Sequence, residues 1–121
     1  MQGSFVDFVS MLHSSRQQAI NWHHQTSSFS MHKALENYYE KVIELIDELV
    51  ESVSGIYGRP RGYKSYEIIV YKEDNVFPYF TNLYSFVEEN RKNVFQESWI
   101  QNKIDEIAFL VARTIYMLTL K

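Results

Sequence analysis

Residues 22–51 read WHHQTSSFSMHKALENYYEKVIELIDELVE, and this stretch decides the fold. Leu35, Tyr39, Val42, Ile46 and Leu49, continued by Val53, recur at helical spacing and form one apolar face. A neighbouring stripe carries Glu36, Glu40, Ile43, Asp47 and Glu51, the ordinary layout of a solvated helix face. Ser28 is a good N-cap and Gly55 a stop, so the spacing predicts a helix over 29–54. Gln25, Thr26 and Ser27 form a short break before it. Upstream, Phe5, Phe8, Leu12, Ala19 and His23 share one helical face and predict a helix over 4–24. Residues 1–3 read as a loose end, and Ser4 with Asp7 has the layout of a capping box. The middle of this helix, residues 14–18, is polar. It must pack on a narrow stripe or against another subunit.

Downstream, Gly58, Pro60 and Gly62 break the helical rhythm. The segment YEIIVY at 66–71 has strand propensity but no evident strand to pair with. It reads as an extended crossover packed on the helices. Asp74 or Asn75 caps a third helix over 75–92, with Phe77, Phe80, Leu83 or Tyr84, and Val87 buried and Pro78 in its first turns. Glu97 or Ser98 opens a fourth that runs to the end, with Trp99 at its start and Ile104, Ala108, Val111, Ile115 and Leu118 in its core. Residues 116–120 are apolar nearly all round, so a covering element or subunit is expected. The expectation is one all-α domain over 1–121. Two short-linked helix pairs are joined by one long crossover, which is the ferritin-like arrangement of a four-helix bundle.

Composition narrows the function classes. The 121 residues include nine tyrosines and eight phenylalanines, with only four glycines and two prolines, which disfavours a turn-rich β fold. A net charge of -3 without a basic tail argues against nucleic acid as a partner. The basic cluster of Arg59, Arg61 and Lys64 reads as a solvated turn. The absence of cysteine removes disulfides, thiolate metal sites and cysteine nucleophiles, and suits a reducing compartment. No signal-peptide pattern and no membrane-length apolar run is evident.

The residues with chemistry are concentrated in 22–51. His23 and His32 flank the break between the first two helices, so they can lie near each other. Asp47 and Glu51 are one helical turn apart and leave the second helix on the same side. His32 and Asp47 are separated by 15 residues of helix, roughly 22 Å. One metal ion therefore cannot touch all four residues of one chain. Either the two halves come from two subunits or they do not make one site. Imidazole with carboxylate suits Fe(II), Mn(II) or Zn(II). His13 reads as solvent-facing, and Asp105 with Glu106 as a polar edge, an ion-pair site or an accessory metal site. Tyr38 and Tyr39 are neighbours of the cluster, and Tyr39 continues the packing stripe.

This layout resembles the Dps family of mini-ferritins. There a His-Trp pair ends the first helix and a second His opens the next, with Asp and Glu following 15 and 19 residues later. His32 stands 15 residues before Asp47 and 19 before Glu51. The first His-to-His spacing of the family is 12, whereas His23 and His32 are 9 apart. A second resemblance is to a set of small viral, mostly phage, proteins of that fold. Their pattern runs HWQTxSxxxHxAL, an Asp-Glu pair, a GxYGR turn and a C-terminal DEI...YxLTLK. This chain has HHQTSSFSMHKAL, IDELVE, GIYGR and DEIAFLVARTIYMLTLK, with His24 where that pattern has Trp.

The resemblance implies iron bound between subunits, by His23 and His32 of one and by Asp47 and Glu51 of another. His24 becomes a substitute ligand, and Trp22 an interceptor of stray oxidant. It implies a self-associating protein of the host cytoplasm or the virion, with ferroxidase-like activity. The alternative is a helical structural or accessory protein of a phage particle, with phage proteins as partners and no chemistry. A third reading, Dps-style DNA protection, is opposed by the acidic charge balance.

Overall fold

The computed structural model describes residues 2–121. They form α1 (Gln2–Gln25), α2 (Phe29–Tyr57), α3 (Glu73–Asn90) and α4 (Ser98–Met117), with a 3-10 turn at Arg91–Asn93 before α4. The described residues contain no strand, and the chain is an all-helical bundle. Helices α2 and α4 run antiparallel. Tyr57 donates a hydrogen bond to Glu97 at one end, Lys103 meets Glu48 further along, and Asn37 lies against Met117 towards the other end.

Residues 58–72 travel the length of the bundle along α1. The backbone N–H of Lys64 donates to Ser10 Oγ at 2.9 Å, and Ile69 lies against Gln18 and Trp22. Tyr71 then reaches Met31 at the start of α2. The crossover thus returns the chain to the end where α2 began, and α3 runs parallel to α2. YEIIVY is extended, as its propensity suggests, but it pairs with side chains of α1 rather than with another strand.

That pairing explains the polar middle of α1. Gln18 is 1% exposed, and its amide holds both backbone groups of Ile69: Nε2 donates to the carbonyl at 3.1 Å and Oε1 accepts from the N–H at 2.8 Å. Trp22 Nε1 donates to the same carbonyl at 3.1 Å. Ser15, fully buried, donates to the Leu12 carbonyl and accepts from Tyr38 Oη at 2.7 Å. Burying these groups is tolerable because each has a partner. The crossover thus covers Gln18, and α2 covers Ser15.

Several expectations need correction. Helix α1 already includes Gln2 and Gly3, so Ser4 and Asp7 lie inside it and form no capping box; Asp7 instead meets Lys64 at 2.9 Å. Met1 lies outside the described residues. Gly55 does not stop α2, which continues to Tyr57; Gly58 closes it, with φ +87° and its N–H donating to Ser54. Ser28 does cap α2, accepting from the Met31 N–H. Lys72 precedes α3 without a side-chain cap, and Glu73 and Asp74 fill its first turn, where carboxylates favour the helix dipole. Tyr38 rather than Tyr39 occupies the core stripe of α2. Phe77 and Trp99 are each 43% exposed, and Val76 and Ile100 are buried in their place. At the C-terminus Tyr116 is 63% exposed, so that end is only partly covered within the chain.

Candidate functional site

His23 and His32 come together across the α1–α2 break. Helix α1 ends at Gln25, and the Ser28 cap starts α2 three residues later, so two short helix ends oppose each other. The imidazole rings stack with centroids 3.7 Å apart and planes 23° off parallel. Each Nδ1 lies on the other residue's backbone carbonyl: His23 Nδ1 to His32 O at 2.9 Å, and His32 Nδ1 to His23 O at 3.0 Å. A carbonyl oxygen only accepts, so each Nδ1 carries the proton. In the neutral form each ring then keeps its lone pair on Nε2. Neither Nε2 has a hydrogen bond among the described residues. Tyr79 Oη is the one buried, unpartnered side-chain polar atom among them, so both Nε2 atoms reach the surface.

The neighbours of this pair are aromatic. Tyr39 meets the His23 ring edge-on at 5.2 Å, which gives the half-buried Tyr39 a packing role beside the pair. His24 is exposed, with its ring 5.4 Å from His23. Trp22 is fully buried against Tyr79 at 5.3 Å and tied to the crossover, so it belongs to the core rather than to the surface at the histidines.

Asp47 and Glu51 are exposed and make no ion pair among the described residues. They lie on an unbroken α2, which keeps Asp47 about four turns and Glu51 about five turns from His32. Among the described residues, no three His, Asp or Glu side chains of one copy gather into a group able to hold a metal ion. The neighbour that the sequence reading overlooked is His13. It is exposed, but its ring lies 5.2 Å from Tyr63 of the crossover. Partial burial lowers its pKa, opposed by the nearby carboxylate of Asp47 and reinforced by Arg16. No spacing signal in the sequence could place Asp47 near His13, because their proximity depends on how α1 and α2 pack.

The second acidic pair has structural partners. Asp105 Oδ1 meets Arg91 at 2.5 Å, and Glu106 meets Lys103 at 2.8 Å. Arg91 also holds the Gln101 carbonyl at 2.9 Å, which fastens the 3-10 turn to α4. Of the readings open for these two carboxylates, the ion-pair role accounts for both.

No described helix is long and apolar enough to cross a membrane. No curated protein and no solved structure matches the chain. A family model does match, over residues 23–118, a span that opens on His23 and takes in His32, Asp47 and Glu51. The chain belongs to that family, the family of unknown function DUF5856.

Proposed function

We propose that this chain is a ferritin-like metal-binding protein whose site forms between two copies. His23 and His32 of one copy supply nitrogen donors, and Asp47 and Glu51 of the other supply the anionic oxygens. The reading rests on one observation, the interlock of the two histidines. A metal-binding imidazole ordinarily donates its second ring N–H to a carbonyl or carboxylate, which fixes its tautomer and orientation. Both rings have that arrangement, with both Nε2 atoms at the surface.

The donor set fits a metal only as two halves, since one copy brings no three ligands together. Two neutral nitrogens and two carboxylates suit Fe(II), with Mn(II) or Zn(II) as alternatives. Iron held there would supply the Fe(II)/Fe(III) couple, with peroxide or oxygen as the oxidant; Asp47 and Glu51 would favour the more highly charged ion, while the Nδ1–H bonds would hold the histidine lone pairs in place. Anaerobic titration of the full chain with Fe(II) tests this. The expected result is stoichiometric uptake that is lost in Asp47→Ala and in His32→Ala. Wild-type protein that takes up no metal, or uptake that survives Asp47→Ala, overturns it.

A second reading, a structural or accessory helical protein of a phage particle, is favoured by the exposed aromatic surface. Phe29 is 73% exposed, Phe109 70% and Tyr116 63%. Metal-free protein that assembles only with another particle component supports this reading over the first.

A further inference from the structure

A groove of about 510 Å³ runs between α2 and α4. Leu45 and Leu110 line its middle, with Phe109 beside them. A phenyl ring 70% exposed next to an apolar trough is costly to leave in water. The ends of the groove differ in charge. Because α2 and α4 are antiparallel, Lys41 and Arg113 share one end, with Glu44 next to Leu45, while Asp105 and Glu106 share the other, where each also meets a cation of its own chain, Arg91 and Lys103. Lys41 and Arg113 make no ion pair among the described residues. Asp105 is 61% exposed and uses only Oδ1 on Arg91, so Oδ2 remains free for a second cation.

We propose that this groove is the contact face of a homodimer, in which a second copy of the chain docks across a two-fold axis passing beside Phe109. Asp105 and Arg113 stand four residues either side of Phe109, on one face of α4. Lys41 stands four residues before Leu45 on α2, at the same end of the groove as Arg113. A two-fold axis perpendicular to the groove reverses it end for end. It therefore sets the cationic end of each copy on the acidic end of the other, twice, with the two Phe109 rings in the middle. Self-complementarity of this kind is what an isologous contact requires. Shifting one copy along the groove would remove the Phe109 contact and misalign both charge pairs. Glu44 of the groove stands one turn before Asp47 on α2, so the face borders the acidic half of the proposed metal site, and association is measured without metal to keep the two readings apart.

Sedimentation equilibrium of the full chain in chelator-treated buffer tests the proposal. Wild-type protein is expected to self-associate, and Phe109→Glu to weaken that step by on the order of 30-fold or more, as for a central aromatic anchor. Arg113→Glu and Asp105→Lys should each weaken it, and the double variant should recover most of the wild-type affinity, because a two-fold axis pairs one swapped position with the other. Circular dichroism checks that each variant folds, with Phe109→Ser as the replacement should Phe109→Glu fail. A wild type that stays monomeric at millimolar concentration overturns the proposal. So does association unchanged by loss of the Phe109 ring, or a double variant no better than the single ones.

Discussion

His23 and His32 hold each other: the ring Nδ1 of each donates to the backbone carbonyl of the other, at 2.9 and 3.0 Å, with the rings stacked between. The interlock does two things at once. It ties the end of α1 to the start of α2, and it turns both Nε2 lone pairs away from the backbone. A structural role and a ligand role are therefore carried by different nitrogens of the same rings and can be told apart by measuring stability with and without metal.

His32→Phe keeps an aromatic ring in the stack but removes both nitrogens. The lost hydrogen bond is expected to lower stability by about 1–2 kcal/mol. Metal at a hundred times its dissociation constant should stabilise the wild type by about 2.7 kcal/mol and leave His32→Phe unchanged. Urea denaturation with and without metal measures both quantities. Stabilisation of the two proteins by equal amounts would place the metal somewhere other than at the histidines.

Gln18 is the clamp that lays the crossover on α1. Gln18→Leu removes both bonds to Ile69 and leaves its N–H without a partner, while Trp22 still serves the carbonyl. The expected loss is about 1–2 kcal/mol, because Ile69 is 43% exposed and water can partly replace Gln18 at its N–H. Amide exchange should quicken first at Ile69 and its neighbours. Global exchange rising in step, with no local increase, would show that the crossover is not held there.

Two tyrosines with hydroxyls shielded from water should respond in opposite directions. Tyr38 donates to Ser15, whereas Tyr79 Oη has no partner among the described residues. Tyr38→Phe is expected to cost about 1 kcal/mol, and Tyr79→Phe to be neutral or stabilising by about 1 kcal/mol. Thermal melts of the two variants decide between these signs.

Alkaline pH probes the same pair. Burial raises the pKa of both phenols, for Tyr38 against the lowering effect of its Ser15 bond. A raised folded-state pKa means the stability is fully present below the unfolded value, near 10, and is lost as pH rises above it. With two such groups the slope should approach about 2.7 kcal/mol per pH unit. The Tyr38→Phe/Tyr79→Phe double variant should flatten that fall, and an unchanged slope would mean that other groups cause it.

The two glycines at the end of α2 should separate as well. Gly55 is helical with open space around its Cα, so Gly55→Ala should stabilise by about 0.5–1 kcal/mol. Gly58 has φ +87° and ψ 166°, a region that side chains avoid, so Gly58→Ala should cost about 1–3 kcal/mol. Chemical denaturation of the two variants, run side by side, reads the difference.

The sequence by itself determined the helices and the division of the ligand-type residues. Apolar spacing marks α1 to α4, because a helix must bury one stripe. The 15 residues from His32 to Asp47 separate the histidine half from the acidic half, because helical rise per residue is constant. The tertiary structure decided which of several permitted residues each stripe buries. Both Tyr38 and Tyr39 lie within helical reach of Leu35 and Val42. Tyr38 goes inward because Ser15 of α1 can accept its hydroxyl, a partner 23 residues away that no local pattern reveals. It also decided the route of the crossover, since Gln18 and Ile69 are 51 residues apart and only packing shows that one satisfies the other. The interlock of His23 with His32 belongs to the same class: spacing brought the residues near, but ring orientation and tautomer follow from the two carbonyls they face.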